Sequence, residues 1–344
     1  MSRLLLVLLG GLALRALVVV LVPSLPALLS VRTELSTPLL SWHRLKEGYH
    51  LLTQLRPSLN PYSSGHFHGP PLLLALAGPL TAIDERTSFV LWSVADAVIA
   101  WALAQVADKR KRGTLLADEG EARWSGARIA AIYLFHPFSV ATTVARSGVT
   151  FSNLFLALSL ESALSGSLLP AVFLLSFAAH FSLYPILLLP PLLLLVHQSS
   201  AHTPADKAAP KMSRSLRTTA AIGTAAFLVH QASLLVLSRW LTGSWEFLSS
   251  AYGVILTISD LTPNIGLSWY FFIEMFDHFR AFFLVVFALH PAVYVAPLTY
   301  FYRDDPLFAI ALLTGSISLL KSYPCLGDYA LWHPLLACFS ELLP

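Results

Sequence analysis

Glu274, Asp277, His278 and Arg280 stand close together inside a run of aromatic rings that extends from Trp269 to Phe283. Two carboxylates, an imidazole and a guanidinium could hold charged groups of either sign on a ligand or on a partner protein. They could also pair with one another. On a continuous helix Glu274 and His278 are i, i+4 neighbours and Asp277 and Arg280 are i, i+3 neighbours, so internal ion pairing is the structural alternative to ligand contact. The rings have ordinary uses too. Trp269, Tyr270, Phe271 and Phe272 fit an interfacial belt, and Phe272, Phe276 and Phe279 fit helix packing. Neither use accounts for the carboxylates. The polar stretch before them adds Asp260, Pro263 and Asn264, and a second polar stretch supplies Lys321, Ser322, Tyr323 and Asp328.

What surrounds these residues makes their charge costly. The chain has 344 residues, 56% of them hydrophobic and only 12% charged, with apolar runs such as Leu4 to Val22 and Leu187 to Val196. That composition excludes an ordinary soluble domain and defines a multispan helical membrane protein. A charged group at membrane depth costs about 2.5–3.5 kcal/mol on insertion scales and persists mainly where it lines a site or an interface. The formal net charge is only +3, with basic residues in short loops between apolar runs, which reflects membrane topology and gives no support to nucleic-acid binding. Cys325 and Cys338 have no CxxC or Cys/His metal spacing and leave the redox compartment open.

The apolar runs predict spans at about 4–22, 87–107, 126–145, 150–165, 168–183, 185–197, 219–238, 269–302 and 307–320. Arg3 before the first run resembles a signal peptide, but the run contains Arg15 and lacks a small-residue cleavage site, so an uncleaved span is expected. The stretch 70–83, with Gly78 and Pro79, is expected to be a juxtamembrane or re-entrant helix. With that parity, Lys109 to Arg112 and the group Lys207, Lys211, Arg214 and Arg217 fall on one side, the cytosolic side by the positive-inside rule. Residues 1–344 are then a single multispan domain with a large lumenal loop at 23–70 and a lumenal loop with its motif-bearing helix at 239–283. The run 329–344 starts a span and is expected to be too short to cross comfortably, as in a C-terminally truncated chain.

Other candidates have plainer readings. His66 and His68 could face one side of an extended loop, but without a third ligand nearby they read as ordinary loop residues, and no metal is expected. Asp304 and Asp305 follow Arg303 as a solvated cap. Arg146 and Asn153 flank a Ser-Gly turn on the outer side, where structure and function are equally open. No GxGxxG, P-loop, nucleophile elbow or HExxH occurs, so nucleotide, hydrolase and zincin chemistry have no support.

Several stretches together carry a resemblance. They are Ser259 to Phe283, Lys321-Ser322-Tyr323-Pro324 with Gly327-Asp328, Ser36 to Trp42 with Glu47-Gly48, and Asn60-Pro61-Tyr62 through Gly65. In content, order and spacing they resemble the PIG-U family, over essentially the whole chain, with Asp260 to Phe272 the most distinctive part. The resemblance implies a subunit of the GPI transamidase of the endoplasmic reticulum, which joins a glycosylphosphatidylinositol lipid to proteins. It implies an all-α polytopic fold like that of GT-C glycosyltransferases, no cofactor, the GPI lipid as ligand, and PIG-K, PIG-S, PIG-T and the GPI-anchor-attachment subunit as partners. The candidate contacts to GPI or to partners are Asp260, Pro263, Asn264, Trp269, Phe271, Phe272, Glu274, Asp277, His278, Lys321, Ser322, Tyr323 and Asp328.

The family itself resembles the multispan GPI mannosyltransferases, which carry closely spaced carboxylates at the start of the first lumenal loop. Here that position reads Val31-Arg32-Thr33-Glu34-Leu35, and Glu34 has no acidic neighbour in sequence nearer than Glu47. Metal or general-base chemistry needs convergent groups. A non-catalytic subunit that helps hold GPI is therefore expected, with a lipid-linked-mannose-dependent mannosyltransferase as the alternative. A transporter lacks an evident inverted repeat.

Overall fold

The computed structural model describes residues 2–54, 60–63, 65–83, 85–113, 124–202 and 215–342, and every regular element among them is a helix. The hydrocarbon interior leaves no water for unpaired backbone groups, so a chain this apolar satisfies them within helices. Five helices are long and apolar enough to cross a bilayer: Arg3–Leu21, Thr87–Arg110, Tyr184–Ala201, Leu216–Thr242 and Asp277–Phe301. Shorter apolar helices, Val149–Leu164, Leu168–Ser182 and Pro306–Leu320, fill the space between them.

Burial sorts these helices. In the most apolar stretch of Thr87–Arg110 and of Tyr184–Ala201, 56% and 44% of residues are buried, against 11% in Arg3–Leu21, 17% in Leu216–Thr242 and 6% in Asp277–Phe301. The first two are central. The other three turn their apolar faces outward, as lipid-facing spans do. The centre is close-packed with small residues: Ala100, Ala102, Ala104, Ala157, Ala163, Ala171 and Ala178 are all fully buried, which lets helix backbones approach where lipid supplies no hydrophobic drive.

Two polar layers define the ends of the bundle. At one end Lys109 pairs with Glu161, Arg110 pairs with Asp305 (3.1 Å) and Glu341 (2.6 Å), and Gly126 N donates to Asp108 (2.9 Å). At the other, Gly148 N donates to Leu40 O and Leu326 N to Glu34 O, each at 2.8 Å. Lys109, Arg110 and Arg303 thus belong to a single end, in the parity that the basic loops predict; Lys207, Lys211 and Arg214 lie outside the described residues. Pro71–Ala77 continues into the 3₁₀ turn Gly78–Thr81, and this pair stays at the Leu40 end, as a re-entrant or juxtamembrane element does.

Two expectations are corrected. The span predicted at 126–145 is two helices, Gly126–Leu134 and Pro137–Val144, because Pro137 has no N–H to continue the ladder and His136 caps the second piece, its Nδ1 accepting from Phe138 N at 3.2 Å. The segment 269–302 breaks between Leu267–Ile273 and Asp277–Val293. The last helix, Leu326–Ala337, touches both polar layers: it starts beside Lys321, and the residues after it bring Ser340 to Trp124 N (3.1 Å) and Glu341 to Arg110.

The break at Pro137 explains the charge in the first span. Phe138 N is occupied by His136, so Leu134 O has lost its i+4 partner, and Arg15 Nη1 donates to it at 2.9 Å. Gly11 makes room, since a Cβ there would sit 2.8 Å from the Leu134 side chain. Arg15 is fully buried, and Nη2 also meets Asp96 at 2.7 Å and Ser139 at 2.7 Å. The Asp96 carboxylate accepts further from Tyr133 (2.8 Å) and from Thr143. Breaking one half of such a pair costs about 3–5 kcal/mol, while removing both halves is far milder. Arg15→Met should therefore lower the Tm and yield of the purified chain strongly, and Arg15→Met/Asp96→Leu should recover most of the loss. A double variant no better than the single one would refute the pairing account.

Candidate functional site

The polar end opposite Lys109 is assembled from loops, so its geometry rests on side chains that bind backbone. Lys321 ends Pro306–Leu320, and Cys325 precedes Leu326–Ala337. Between them Ser322 Oγ donates to Ile255 O (2.6 Å), Ser322 N donates to Tyr184 Oη (2.9 Å), and Tyr323 Oη donates to Asp260 O (2.8 Å). Asp328 closes the turn, accepting from Cys325 N at 2.9 Å and from Lys321 Nζ at 2.6 Å. Gly327 is required by close approach: a Cβ there would lie 2.4 Å from Val149 Cγ1. Its carbonyl accepts from Asn153 Nδ2 at 2.8 Å, which gives Asn153 a structural task.

The segment before the aromatic run is folded by its own polar side chains. Asp260 Oδ1 accepts from Thr262 N (2.8 Å), Asn264 Oδ1 from Gly266 N (2.8 Å), and Trp269 Nε1 reaches back to Leu261 O (2.9 Å). These are Asx-type turns, which give the backbone partners where no helix does. Ile258 adopts φ 47°, a conformation unfavourable for a β-branched residue, and Arg280 donates to its carbonyl at 2.8 Å while lying 5.3 Å from the Phe272 ring centre.

The loop between the first two spans docks onto this layer. Asn60 Nδ2 donates to Ser244 Oγ (2.7 Å) and Glu246 (3.0 Å), and Ser250 Oγ donates to Tyr62 O (2.9 Å). His68 is buried between Ser250 O, 2.8 Å from Nδ1, and Asp260 Oδ2, 3.4 Å from Nε2. A carbonyl only accepts, so Nδ1 carries a proton. The His68 contact, against the opposing effect of burial and with help from Thr262, holds the Asp260 carboxyl well below the usual carboxylate range. Burial and the nearby Asp260 push the Tyr323 phenol up. Burial alone would lower the Lys321 ammonium, but the Asp328 carboxylate and Cys325 outweigh it, and the net shift is upward.

Asp260, Asn264, Trp269, Lys321, Ser322, Tyr323 and Asp328 thus come together in one layer, with Pro263 exposed at its edge. Phe271 and Phe272 do not face outward from it. They pack on Phe283 and Phe287 at ring distances of 4.9–5.3 Å and hold the two helices of the broken segment together. Glu274, Asp277 and His278 are exposed at the break, so the alternative of i, i+4 and i, i+3 pairing is not realised: Glu274 ends one helix, Asp277 starts the next, and Arg280 turns to the carbonyl of Ile258. Among the described residues neither carboxylate has an ion-pair partner.

Tyr184 and Ser250 are site residues that the sequence does not single out, and His68, read from the sequence as an ordinary loop residue, is buried in the layer. His66 and His68 share one short loop, yet His66 is exposed and His68 buried; only the docking of distant loops separates them. Arg146, at φ 55°, lies buried with its guanidinium 4.5 Å from the Trp42 ring centre. Among the described residues no three His, Cys, Asp or Glu side chains converge as metal ligands would.

These features define an all-helical polytopic membrane protein with a hydrogen-bonded polar layer at one end of its bundle. Over residues 9–344 the chain matches the family described as GPI transamidase subunit PIG-U. It is 32% identical over 339 residues to the GPI-anchor transamidase component PIGU of Homo sapiens, covering 93% of this chain and 75% of that protein. It is 33% identical over 337 residues to the GPI transamidase component GAB1 of Saccharomyces cerevisiae, covering 97% and 77%. The chain belongs to the PIG-U family.

Proposed function

We propose that this protein is a subunit of the GPI transamidase of the endoplasmic reticulum membrane, and that it helps receive the GPI lipid while another subunit carries out the chemistry. Its partners on this reading are PIG-K, PIG-S, PIG-T and the GPI-anchor-attachment subunit. The observation that carries the reading is an adjacency. The polar layer around Asp260 and Lys321 is joined through Arg280 to Asp277–Phe301, the span with only 6% of its apolar stretch buried. A head-group site next to a lipid-accessible apolar surface suits a ligand with a charged glycan and acyl chains. The polar layer faces the lumen on this reading, because Lys109, Arg110 and Arg303 occupy the opposite end.

Glu34 supports an accessory role. Its backbone carbonyl is a strut for Leu326 N, and Glu47 is ion-paired to Arg44 at 3.6 Å on its own helix.

Glu274 and Asp277 are exposed, so neutral isosteres there should not disturb folding. Glu274→Gln/Asp277→Asn should lower GPI retained per assembled complex several-fold with complex recovery unchanged; normal GPI per complex would remove these residues from the site. An N-glycosylation acceptor engineered at Ser63 should be modified and one at Asp304 should not, and the reverse pattern would invert the topology. Glu34→Gln should leave transamidation intact, and the purified chain should transfer no sugar from a lipid-linked mannose donor. Mannosyl transfer abolished by Glu34→Gln would favour the mannosyltransferase reading instead.

A further inference from the structure

Two imidazoles meet halfway through the bundle, away from either polar layer. His136 sits at the break between Gly126–Leu134, which starts at the Lys109 end, and Pro137–Val144, which leads to the other end. His333 lies in the middle of Leu326–Ala337, between Lys321 and Glu341. The two ring centres are 5.0 Å apart, with the planes tilted by 32°. Both rings are half-buried, and Phe135 next to His136 is 47% exposed, so the pair lies at the outer surface of the bundle.

The contacts of the pair fix where its protons are. Phe138 N–H donates to His136 Nδ1, so that nitrogen holds a lone pair and the proton of the neutral ring is on Nε2. His333 Nδ1 is enclosed and has no partner. An enclosed N–H without an acceptor is the costlier choice, so the proton of this ring belongs on Nε2 as well. Among the described residues neither Nε2 has a hydrogen-bond partner, and neither is enclosed by protein. Two N–H donors thus reach the surface at a depth where the bilayer holds neither water nor head-group oxygens. Lipid cannot satisfy them there. A metal does not fit either, because His136 Nε2 has no lone pair to give and, among the described residues, no third ligand converges on the pair.

We propose that His136 and His333 are a docking point for a transmembrane helix of another subunit, which presents a carboxylate or carboxamide oxygen to both Nε2 donors. Hydrogen-bond complementarity selects this occupant: the site offers only donors outward, so the incoming helix brings Asp, Glu, Asn or Gln, and a side chain at mid-depth is the acceptor that a bilayer protein can supply. The inference goes beyond the proposed function and rests on its reading of the chain as one subunit among several.

The test uses the full chain expressed together with its partner subunits. His136→Ser keeps a side-chain cap for the helix that follows and removes the outward donor; His333→Phe keeps a ring of similar size. The double variant should recover severalfold less of one membrane-spanning partner, while its own yield and Tm, measured without partners, stay at the wild-type values. In the otherwise wild-type chain, the photocrosslinker p-benzoylphenylalanine in place of Phe135 should join a transmembrane helix of that same partner, within a turn of an Asp, Glu, Asn or Gln. Unchanged partner recovery by a folded double variant overturns the docking point, and so do crosslinks confined to lipid or to a second copy of this chain. If the double variant does not fold, the crosslink decides alone. A complex that retains GPI while Phe135 crosslinks only lipid removes the docking point and leaves the proposed function standing; one that retains no GPI while Phe135 crosslinks the partner helix does the reverse.

Discussion

A guanidinium buried in the middle of an apolar bundle constrains everything packed around it. Arg15 can remain charged there only if every donor finds an acceptor, and its acceptors come from four different places: Gly11 O on its own helix, Leu134 O at a helix break, Asp96 on the central span, and Ser139 beyond the break. Moving any of these elements by a turn would leave a charge in hydrocarbon without a partner. The network therefore fixes the register of Arg3–Leu21 against Glu85–Gly113 and against the paired short helices. It also turns an apparent defect, the Pro137 break, into the source of the carbonyl that Arg15 needs.

The opposite end is held on a different principle. Its loops have no ladder to satisfy their backbone, and buried carbonyls must be paired, so polar side chains reach across between segments distant in sequence. Ile255, Ile258, Asp260 and Gly327 each present a carbonyl that a side chain from another segment fills. The rigid bundle sets where these loops emerge; the side chains set how they meet. A lipid-facing span that begins at this layer inherits that order through Arg280, which links Asp277–Val293 to the strained turn at Ile258.

The long apolar runs were legible in the sequence because hydrophobic length is a direct consequence of bilayer thickness. That Lys109 and Arg303 share one end of the bundle was legible for the same kind of reason, since counting apolar runs puts both after spans of the same direction. The breaks were harder. Pro137 ends a helix in one context and kinks it in another, and the turn at Glu274 to Phe276 carries no Gly or Pro, so continuous helices looked reasonable on both stretches. Asp96 left no local signal, and the His66/His68 spacing gave only a loop reading: each of Asp96 and His68 is made important by a partner far away in sequence, Arg15 in one case and Asp260 in the other.

The distinctive motif from Asp260 to Phe272 is mostly construction. Asn264, Trp269, Phe271 and Phe272 have their hydrogen bonds and ring faces committed within the protein, and a group so engaged has little left with which to hold a ligand. Binding capacity resides in donors, acceptors and charges that folding leaves over. By that criterion the candidates divide in two. Glu274, Asp277 and His278 remain available because the helix break prevents them from pairing, whereas Lys321 is buried and committed to Asp328. An unusual sequence motif and a set of uncommitted charges need not coincide: here the motif shapes a loop, and the groups left without partners, Glu274, Asp277 and His278, lie at the helix break just beyond it.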